Sequence, residues 1–418
     1  MDKLTAVRGM PVITDGDARR QLEEILINLP RHFGYKELRP PIIEKTELFR
    51  RSIGEATDIV EKEMYEFLDK KGSSICLRPE ATAGLMRAGI ELGLFNTPQR
   101  IWCLGPMFRY ERPQSGRLRQ FDQLDVEAVG FASPAVDAEL IWLTSLMWDE
   151  LQLSPQLQLN ALGSAATRQT YSEKLKEYLQ DNYEQLDADS QRRLDTAPLR
   201  VLDSKSPQTQ AIVKDAPSIA DYWDEETRLH FDKICAILSD LGVPFTINHK
   251  LVRGLDYYDK MVFEWISDDL GAQNTLCAGG RYDGLIEQLG GNSTPAVGFA
   301  LGMERLVLIL EALRSQSNAP ELKKPTSIAI LPICDDTRIF GLIKDLRAQL
   351  RNSKTDYIVE CDFRPGSIKS KLKYADRIGA AYAIIIGDEE LAEQKVTLRN
   401  MAKSEQKMLS MAELANNI

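Results

Sequence analysis

The stretch Phe108–Gln123, FRYERPQSGRLRQFDQ, is the part of the sequence from which the fold can be worked out. Strand-like residues flank a central PQSG, whose Pro113 and Gly116 favour a turn, so the stretch predicts a β-hairpin. Because alternate residues of a strand share a face, we expect Arg117 and Arg119 to point the same way. Four arginines lie on the arms and the loop of this hairpin: Arg109, Arg112, Arg117 and Arg119.

These arginines belong to a chain whose formal net charge is -10. Guanidinium groups that converge on one face suit a polyphosphate, because each offers planar, paired donors and keeps its charge. Alternatively, the hairpin is exposed and its arginines form ion pairs with Glu111, Asp122 and Asp125, since surface ion pairs are common. The acidic balance argues against a protein that coats nucleic acid nonspecifically, and we expect no DNA partner.

Upstream of the hairpin, the pattern predicts a helix followed by an extended segment. Residues 15–29 predict a helix that Pro30 is expected to end. Its apolar face would consist of Leu22, Ile25, Leu26 and Leu29. The segment YKELRPPIIE then reads as a strand, because Pro40 and Pro41 forbid a helix there.

Downstream, composition divides the chain. The block from about 165 to 225 is polar, rich in Gln, Asp and Glu, and predicts a small helical insertion. The segment RSQSNAPELKKPT (314–326) has linker composition, so we expect one domain over residues 1–320 and a second over residues 327–418. In the second, apolar runs and helical segments alternate as β-α-β-α-β, which predicts an α/β domain with a mostly parallel or mixed sheet.

Charged residues also stand out in three other segments of the chain. Arg253 and Asp256 lie in LVRGLDYYDKMVFEW, where they either pair with each other or form a pocket wall that meets an anionic ligand. Arg305 begins an apolar helix and requires a phosphate or a distant carboxylate. In LRPEATA, Glu80 follows a strand and could hold an ammonium group, although a carboxylate at a helix start is the ordinary alternative.

Other classes of site are excluded by missing motifs. There is no GxxxxGK[ST], no strand–GxGxxG–helix unit and no kinase motif set, so a phosphate site here is built from arginines. The three histidines are far apart and the six cysteines form no CxxC pair, which predicts no metal site from histidine or cysteine. No apolar run is long enough to span a bilayer, and MDKLTAVRGM has no signal core, so we expect no membrane partner and a cytoplasmic protein.

Taken together, these segments resemble the bacterial histidyl-tRNA synthetase family, within the class II aminoacyl-tRNA synthetases, over essentially the whole chain. YKELRPPIIE is similar to class II motif 1, FRYERPQSGRLRQFDQLDVEAVG to motif 2 and TPAVGFALGMERL to motif 3. LVRGLDYYDKMVFEW and AGGRYDGL match two histidine-specific signatures, and LRPEATA and RVLDSK also fit the family. The RGLDYY signature is highly specific, and the segments occur in the order of the family.

The resemblance implies an α+β fold. Its catalytic domain would be a six-stranded antiparallel sheet flanked by helices, with a small helical insertion and a C-terminal α/β anticodon-binding domain. The implied reaction activates L-histidine with ATP and Mg²⁺ and passes the histidyl group to the terminal ribose of tRNA(His). Motif 1 implies a homodimer, and a balance of 16 Lys and Arg against 14 Asp and Glu in residues 321–418 suits an RNA partner.

Transferred by motif position, the arginines would bind ATP. Arg109 would bind the α-phosphate as the histidine carboxylate attacks it, and Arg253 would contact the same phosphate from the other side. Arg117 and Arg305 would hold the γ-phosphate. Attack on phosphorus builds negative charge, which fixed cations stabilise.

The resemblance also implies a histidine pocket and a tRNA contact. One group would orient the amino and carboxylate groups of the substrate: Glu80, Thr82 and Gln123. A second group would surround the imidazole: Glu127, Tyr258 and Tyr282, with Tyr257 close by. Gln114, at the tip of the motif 2 loop, would face the acceptor end of the tRNA.

The sequence departs from the family pattern at two positions, and two competing functions make different predictions about its residues. Leu118 stands where many relatives have Tyr, and Asp122 where many have His, which leaves details of the motif 2 loop open. A histidine-binding regulatory subunit of ATP phosphoribosyltransferase would typically lack Arg253 and the anticodon-binding domain, and this chain has both. An RNA-binding module with an inactive site would lack one or more of four residues, all of which are present here: Glu80, Arg109, Arg253 and Arg305.

Overall fold

The computed structural model describes residues 4–14, 16–54, 57–114, 116–267, 275–315, 326–334, 339–351, 357–414 and 417–418. The chain divides into two compact units, Met1–Pro320 and Glu321–Ile418. Most of the predicted linker lies outside the described residues, because 316–325 fall in one of the gaps.

The strands of the first unit are β1 (Lys36–Glu37), β2 (Ile43–Lys45), β3 (Tyr65–Leu68), β4 (Ser74–Leu77), β5 (Gln99–Phe108), β6 (Gln120–Val129), β7 (Gln156–Gly163), β8 (Thr246–Ile247), β9 (Asp259–Ile266), β10 (Thr275–Arg281) and β11 (Ala296–Gly302). Its α-helices are α1 (Gly16–His32), α2 (Thr46–Ile53), α3 (Thr82–Glu91), α4 (Pro134–Leu151), α5 (Ala165–Asp181), α6 (Ala188–Arg193), α7 (Pro207–Val213), α8 (Glu225–Asp240), α9 (Leu285–Gln288) and α10 (Met303–Ser315). A π-helical turn covers Ile59–Glu63, and 3₁₀ turns cover Leu94–Asn96, Tyr183–Gln185, Pro198–Asp203 and Ile219–Tyr222.

The first unit is built on one large sheet. Its strand order is β1-β5-β6-β11-β10-β9-β7-β8, and the six central strands, from β5 to β7 in this order, pair with one another antiparallel. The two-residue strands β1 and β8 add parallel edges that the resemblance did not predict. A separate small sheet has the order β2-β4-β3. The predicted α+β architecture with an antiparallel catalytic sheet is confirmed.

The two faces of the large sheet differ in chemistry because side chains alternate along each strand. On β6, Leu124, Val126 and Ala128 belong to a core cluster that also contains apolar residues of α1, α4, α8 and α10. The residues that alternate with them along the strand, Gln123, Asp125 and Glu127, therefore face the other side of the sheet. This alternation places a row of polar groups over the sheet face that the helices leave open.

The polar block after β7 is helical, as its composition predicts. Between Ala165 and Tyr222, where the structure describes every residue, three α-helices and three 3₁₀ turns follow one another without a strand. Tyr171, Leu175 and Leu179 of α5 are buried in a second core cluster on the open side of the sheet. The insertion thus has an apolar contact surface despite its polar composition.

Two local predictions are wrong. Helix α1 does not end at Pro30 but continues to His32, since a proline removes only one hydrogen bond near the end of a helix. The arginine-rich hairpin has a longer loop than expected, because β5 ends at Phe108 and β6 begins at Gln120. All four arginines therefore lie in the loop, and strand alternation does not fix where they point.

The second unit contains β12 (Thr326–Pro332), α11 (Ile339–Arg351), β13 (Tyr357–Cys361), α12 (Ile368–Arg377), β14 (Tyr382–Ile386), α13 (Asp388–Glu393), β15 (Lys395–Asn400), β16 (Gln406–Ser410) and α14 (Met411–Leu414). Its sheet order is β13-β12-β14-β15-β16, with the first three strands parallel and the last two antiparallel. The predicted β-α-β-α-β pattern is present, and β15 and β16 extend it. Buried residues of β12 and β14 form the centre of its core, among them Ile328, Ile330, Ile384 and Ile386.

Candidate active site

A cleft of about 730 Å³ opens over the polar face of the large sheet. Nine of the twelve residues singled out from the sequence line it: Glu80, Thr82, Arg109, Arg117, Gln123, Arg253, Tyr257, Tyr258 and Arg305. These residues are far apart in the sequence, and the fold brings them together. Glu127 and Tyr282 lie directly behind this lining, where they contact Thr82, Tyr257 and Tyr258.

Glu127 is the buried centre of the polar end of the cleft. Its carboxylate accepts hydrogen bonds from the Thr82 hydroxyl, at 2.7 Å, and from the Tyr282 hydroxyl. Burial raises the pKa of Glu127 to about 8, although both hydroxyl donors act in the opposite direction. A carboxyl group held in this way can accept a hydrogen bond from a ring N–H, which gives the pocket a basis for selecting a ring.

Gly298 makes room for that carboxylate. It is the register partner of Glu127 on β11. A Cβ atom on Gly298 would lie 1.5 Å from Glu127 Oε2, so any other residue would displace the carboxylate. The absence of a side chain at this position is therefore part of the site.

Three tyrosines form an aromatic wall beside Glu127. Tyr257 lies with its ring centroid 4.7 Å from that of Tyr258 and 5.4 Å from that of Tyr282, and the last two are 6.2 Å apart. Burial raises the pKa of all three hydroxyls, so they remain protonated and can donate. The wall combines flat apolar surface with hydroxyl donors, as an aromatic, nitrogen-containing ring requires.

Tyr282 is anchored by a buried ion pair on the opposite face of the sheet. Its neighbour Arg281 is 1% exposed and donates to both oxygens of Asp137 on α4. The same guanidinium donates to the Phe131 carbonyl and to Asp283, each at 3.0 Å. Arg281 is the last residue of β10, so fixing it among the helices also fixes the backbone from which Tyr282 extends to Glu127.

Glu80 stands at the start of α3 and lines the cleft as well. Both of its oxygens lie within reach of the Ala83 amide, at 3.1 and 3.3 Å. Burial raises the pKa of Glu80 to about 6, while the Ala83 amide and Arg109 act against this shift. Glu80 thus accepts from a backbone amide at the start of the helix, and it is also placed to hold an ammonium group in the cleft. The two alternatives for this residue are compatible.

The other end of the cleft is cationic. Arg109 donates to the Pro79 carbonyl at 2.8 Å, and its guanidinium lies 5.2 Å from the centroid of the Phe121 ring. Burial lowers the pKa of Arg305, and the nearby charge of Arg117 lowers it further. Two cations that disfavour each other's charge are stabilised by an anion bound between them.

Arg253 faces the same space. Its guanidinium lies 3.5 Å from a carboxylate oxygen of Glu264, and its buried Nε has no hydrogen-bond partner among the residues that the structure describes. The predicted alternative, an Arg253–Asp256 pair, is wrong, because Asp256 pairs with Arg200 at 2.8 Å. A buried donor without a partner is a group that a ligand can satisfy.

The surface-pairing interpretation of the arginine loop is correct for one residue. Arg117 forms an ion pair with Glu111, whereas Arg119 lies over the Tyr110 ring with its guanidinium 3.8 Å from the ring centroid. Asp122 is bound by Arg19 of α1 and not by an arginine of the loop. The loop therefore fixes two of its own arginines.

Gln114 is not among the residues that line the cleft. Its backbone pairs with that of Arg117 through two hydrogen bonds of 3.0 Å, at the tip of the loop. Leu118, where many relatives have Tyr, does line the cleft. The departure at position 118 is therefore inside the site.

Sequence reasoning missed two carboxylates. Glu264 lines the cleft beside Arg253, and Asp125 lines it between Gln123 and Glu127. The spacing of Gln123, Asp125 and Glu127 along one strand was a signal that could have placed Asp125 in the site. Nothing in the apolar run around Glu264 pointed to the cleft rather than to the core.

Within the described ranges, no group of three or more His, Cys, Asp or Glu side chains could hold a metal ion. Of the helices that the structure describes, none combines the length and apolar character needed to cross a membrane.

Comparisons with known proteins agree with this geometry. The family described as "Histidyl-tRNA synthetase" matches residues 14–306, and the one described as "Anticodon binding domain" matches residues 327–418. A curated relative, the histidine–tRNA ligase of Marinomonas sp. (strain MWYL1), is 47% identical over 421 residues, which cover 100% of this chain and 98% of the relative.

Solved structures give the same result. The structure of apo histidyl-tRNA synthetase from S. aureus matches with a TM-score of 0.78 and 34% identity, and the match covers 99% of each chain. Histidyl-tRNA synthetase from Nostoc sp. PCC 7120 matches with a TM-score of 0.71 over 99% of each chain, and at 19% identity it supports the fold alone.

Proposed function

This chain belongs to the histidyl-tRNA synthetase family, and from that premise we propose how its cleft carries out the reaction. The activity is that of a histidine–tRNA ligase. L-Histidine and ATP form histidyl-adenylate and pyrophosphate, and histidine is then transferred to the terminal ribose of tRNA(His). The observation that supports the proposal is a single cleft with arginines at one end and a buried carboxyl–tyrosine pocket at the other.

The arginines take the triphosphate. Arg109 and Arg253 contact the α-phosphate, where a carboxylate oxygen of histidine attacks phosphorus and pyrophosphate leaves. Arg117 and Arg305 hold the γ-phosphate, whose negative charge would offset both the burial and the repulsion from Arg117 that lower the pKa of Arg305. Preorganised cations at the point where charge develops are the largest single source of catalysis in such reactions.

The opposite end of the cleft takes histidine. Glu127 accepts a ring N–H, and Tyr257, Tyr258 and Tyr282 enclose the imidazole; the carboxyl and aromatic groups described above support this role. Glu80, Thr82 and Gln123 orient the amino and carboxylate groups of the substrate. Amino acids without ring N–H groups leave these buried polar atoms unpaired, which is the basis of specificity.

Mg²⁺ would accompany the phosphates of ATP. Magnesium prefers phosphate and carboxylate oxygens and keeps several waters, so the protein needs to supply only one or two carboxylates. Glu111 and Glu264 are the carboxylates that could do so, because both line the cleft beside arginines assigned to the phosphates, Arg117 and Arg253 respectively. When bound, the ion would neutralise part of the triphosphate charge.

The remaining assignments concern tRNA and assembly. We propose a catalytic domain over residues 1–320 with a helical insertion at about 165–225, and an anticodon-binding domain over 327–418, which the family match at 327–418 supports. Gln114, at the tip of the loop, contacts the acceptor end of the tRNA.

A homodimer is the proposed assembly. The N-terminal segment leaves large apolar side chains uncovered, with Leu4 98% and Val12 78% exposed, and Ile43 of the motif 1 segment is 48% exposed. Sedimentation velocity is expected to give twice the mass of 47.1 kDa, and a monomer would contradict the assignment. A cytoplasmic location is consistent with the six free cysteine thiols.

ATP–pyrophosphate exchange tests the function directly. We expect exchange with histidine and with no other amino acid of a panel, followed by charging of tRNA(His) when tRNA is added. A folded protein that binds histidine but supports no exchange would contradict the proposal and favour a regulatory histidine-binding subunit.

A further inference from the structure

Asp125 is the most deeply buried carboxylate of the cleft. It lies on β6 and lines the cleft between Gln123 and Glu127, with its side chain 0% exposed. Neither of its oxygens has a hydrogen-bond partner among the residues described by the structure. A buried carboxyl group without a partner is unfavourable, so the cleft lacks a donor at this position.

The neighbouring groups do not supply that donor. Glu127 uses its oxygens for the hydroxyls of Thr82 and Tyr282. Arg78 and Arg109 are close enough for their charges to act on Asp125, but they donate to backbone carbonyls instead. A ligand with N–H donors can therefore complete the site.

A second acceptor nearby also lacks a partner. Oε1 of Gln123 is buried and has no donor within the described part of the chain. Residues two apart on a strand share a face and have Cα atoms about 6.7 Å apart, so the side chains of Gln123 and Asp125 border the same space. An ammonium group carries three N–H donors in different directions, and it can satisfy both acceptors and a third such as Glu80.

We propose that Asp125 binds the α-ammonium group of the amino-acid substrate, together with Gln123 Oε1. The inference rests on the proposed histidine activation. Glu127, at the ring end, and the arginines, at the phosphate end, place the imidazole and the carboxylate on either side of the substrate's α-carbon. The ammonium group on that carbon then falls over Asp125, where an anionic phosphate would be repelled.

Binding of paired ligands to Asp125→Asn tests the proposal. Imidazolepropionate is histidine without its amino group, so it keeps the ring and the carboxylate. By isothermal titration calorimetry, Asp125→Asn is expected to raise the Kd for histidine about 10- to 100-fold, the range for a lost charge-assisted hydrogen bond. The Kd for imidazolepropionate should stay within about threefold of wild type or fall, since a carboxyl group no longer faces it.

Two outcomes would overturn the proposal: equal weakening of both ligands, which indicates a structural role, or unchanged histidine binding. Asp125→Ser removes the charge through a different side chain, and either variant decides the question once circular dichroism shows that it is folded. Asp362→Asn is the matched control, because Asp362 is also buried but lies in the second unit and pairs with Arg364.

Pyrophosphate exchange by the wild-type protein distinguishes failure of the proposed function from failure of the role proposed for Asp125. If wild-type protein supports no histidine-dependent pyrophosphate exchange, the proposed function fails whatever the variants do. If wild-type protein does support exchange and Asp125→Asn shows no selective loss of histidine binding, only the role of Asp125 fails.

Discussion

Arg253→Ala should slow adenylate formation far more than it weakens histidine binding. A unit charge 4 Å from a phosphate oxygen contributes about 4 kcal/mol at an effective dielectric constant of about 20. Arg253 already lies 3.5 Å from Glu264, which offsets part of that charge. We therefore expect the lower end of the range for a lost transition-state donor, about 100-fold in rate, or about 2.7 kcal/mol.

Histidine affinity should change by less than about threefold, because Arg253 lies at the edge of the tyrosine wall. Its guanidinium carbon is 6.0 Å from the centroid of the Tyr258 ring, and its head group lies beside Glu264 in the lining of the cleft. Single-turnover formation of histidyl-adenylate measures the rate, and calorimetric titration with histidine measures the affinity.

Arg200→Ala is the matched control for this experiment. Arg200 donates to the Gly254 carbonyl at 2.9 Å and to Asp256 at 2.8 Å, so it holds the same segment without lining the cleft. It should leave the adenylation rate within about tenfold of wild type, since it loosens the segment but removes no charge from the cleft. Equal loss of rate and affinity in Arg253→Ala, or the same rate loss in Arg200→Ala, would refute the α-phosphate role.

Three further predictions test the site and its support. Burial raises the pKa of Glu127 to about 8, so its contribution to stability is complete below about pH 4 and is lost as the pH rises through 8. The free energy of unfolding of Glu127→Gln, measured in urea, should therefore increase relative to that of wild type by up to about 1.4 kcal/mol per pH unit between pH 5 and 8. A difference in unfolding free energy that does not change with pH would contradict this. Arg281→Met removes the arginine that pairs with buried Asp137 and leaves His230 Nε2, 3.4 Å away, as the remaining nitrogen beside that carboxylate. The variant should lose about 3–5 kcal/mol of unfolding free energy, much of it recovered by adding Asp137→Leu, and no recovery would argue against the pair. Gly298→Ala should raise the KM for histidine at least about tenfold while leaving the KM for ATP unchanged, because its Cβ displaces Glu127, and equal rises in both would indicate general distortion.

Local patterns were sufficient for the family and the main elements. The resemblance read from the motifs is confirmed by the full-length relatives, and so is the α+β architecture. Boundaries were less predictable. The arginine-rich hairpin was expected to carry arginines on its arms, but strand pairing stops at Phe108, and Glu111, Tyr110 and Arg117 complete a structured loop. Those contacts depend on three-dimensional neighbours, which periodicity does not encode.

The sequence by itself determined which residue types the reaction has available. The spacing of residue types along the chain shows three such features: arginines that keep their charge, two carboxylates two positions apart on one strand, and a tyrosine-rich signature. Only the tertiary structure decided how they are partnered. Arg253 pairs with Glu264 and not with Asp256, and Glu127 fits because Gly298 faces it across the sheet. Pairing energies depend on distance and on burial, and both are set by strand order and by the helices behind the sheet.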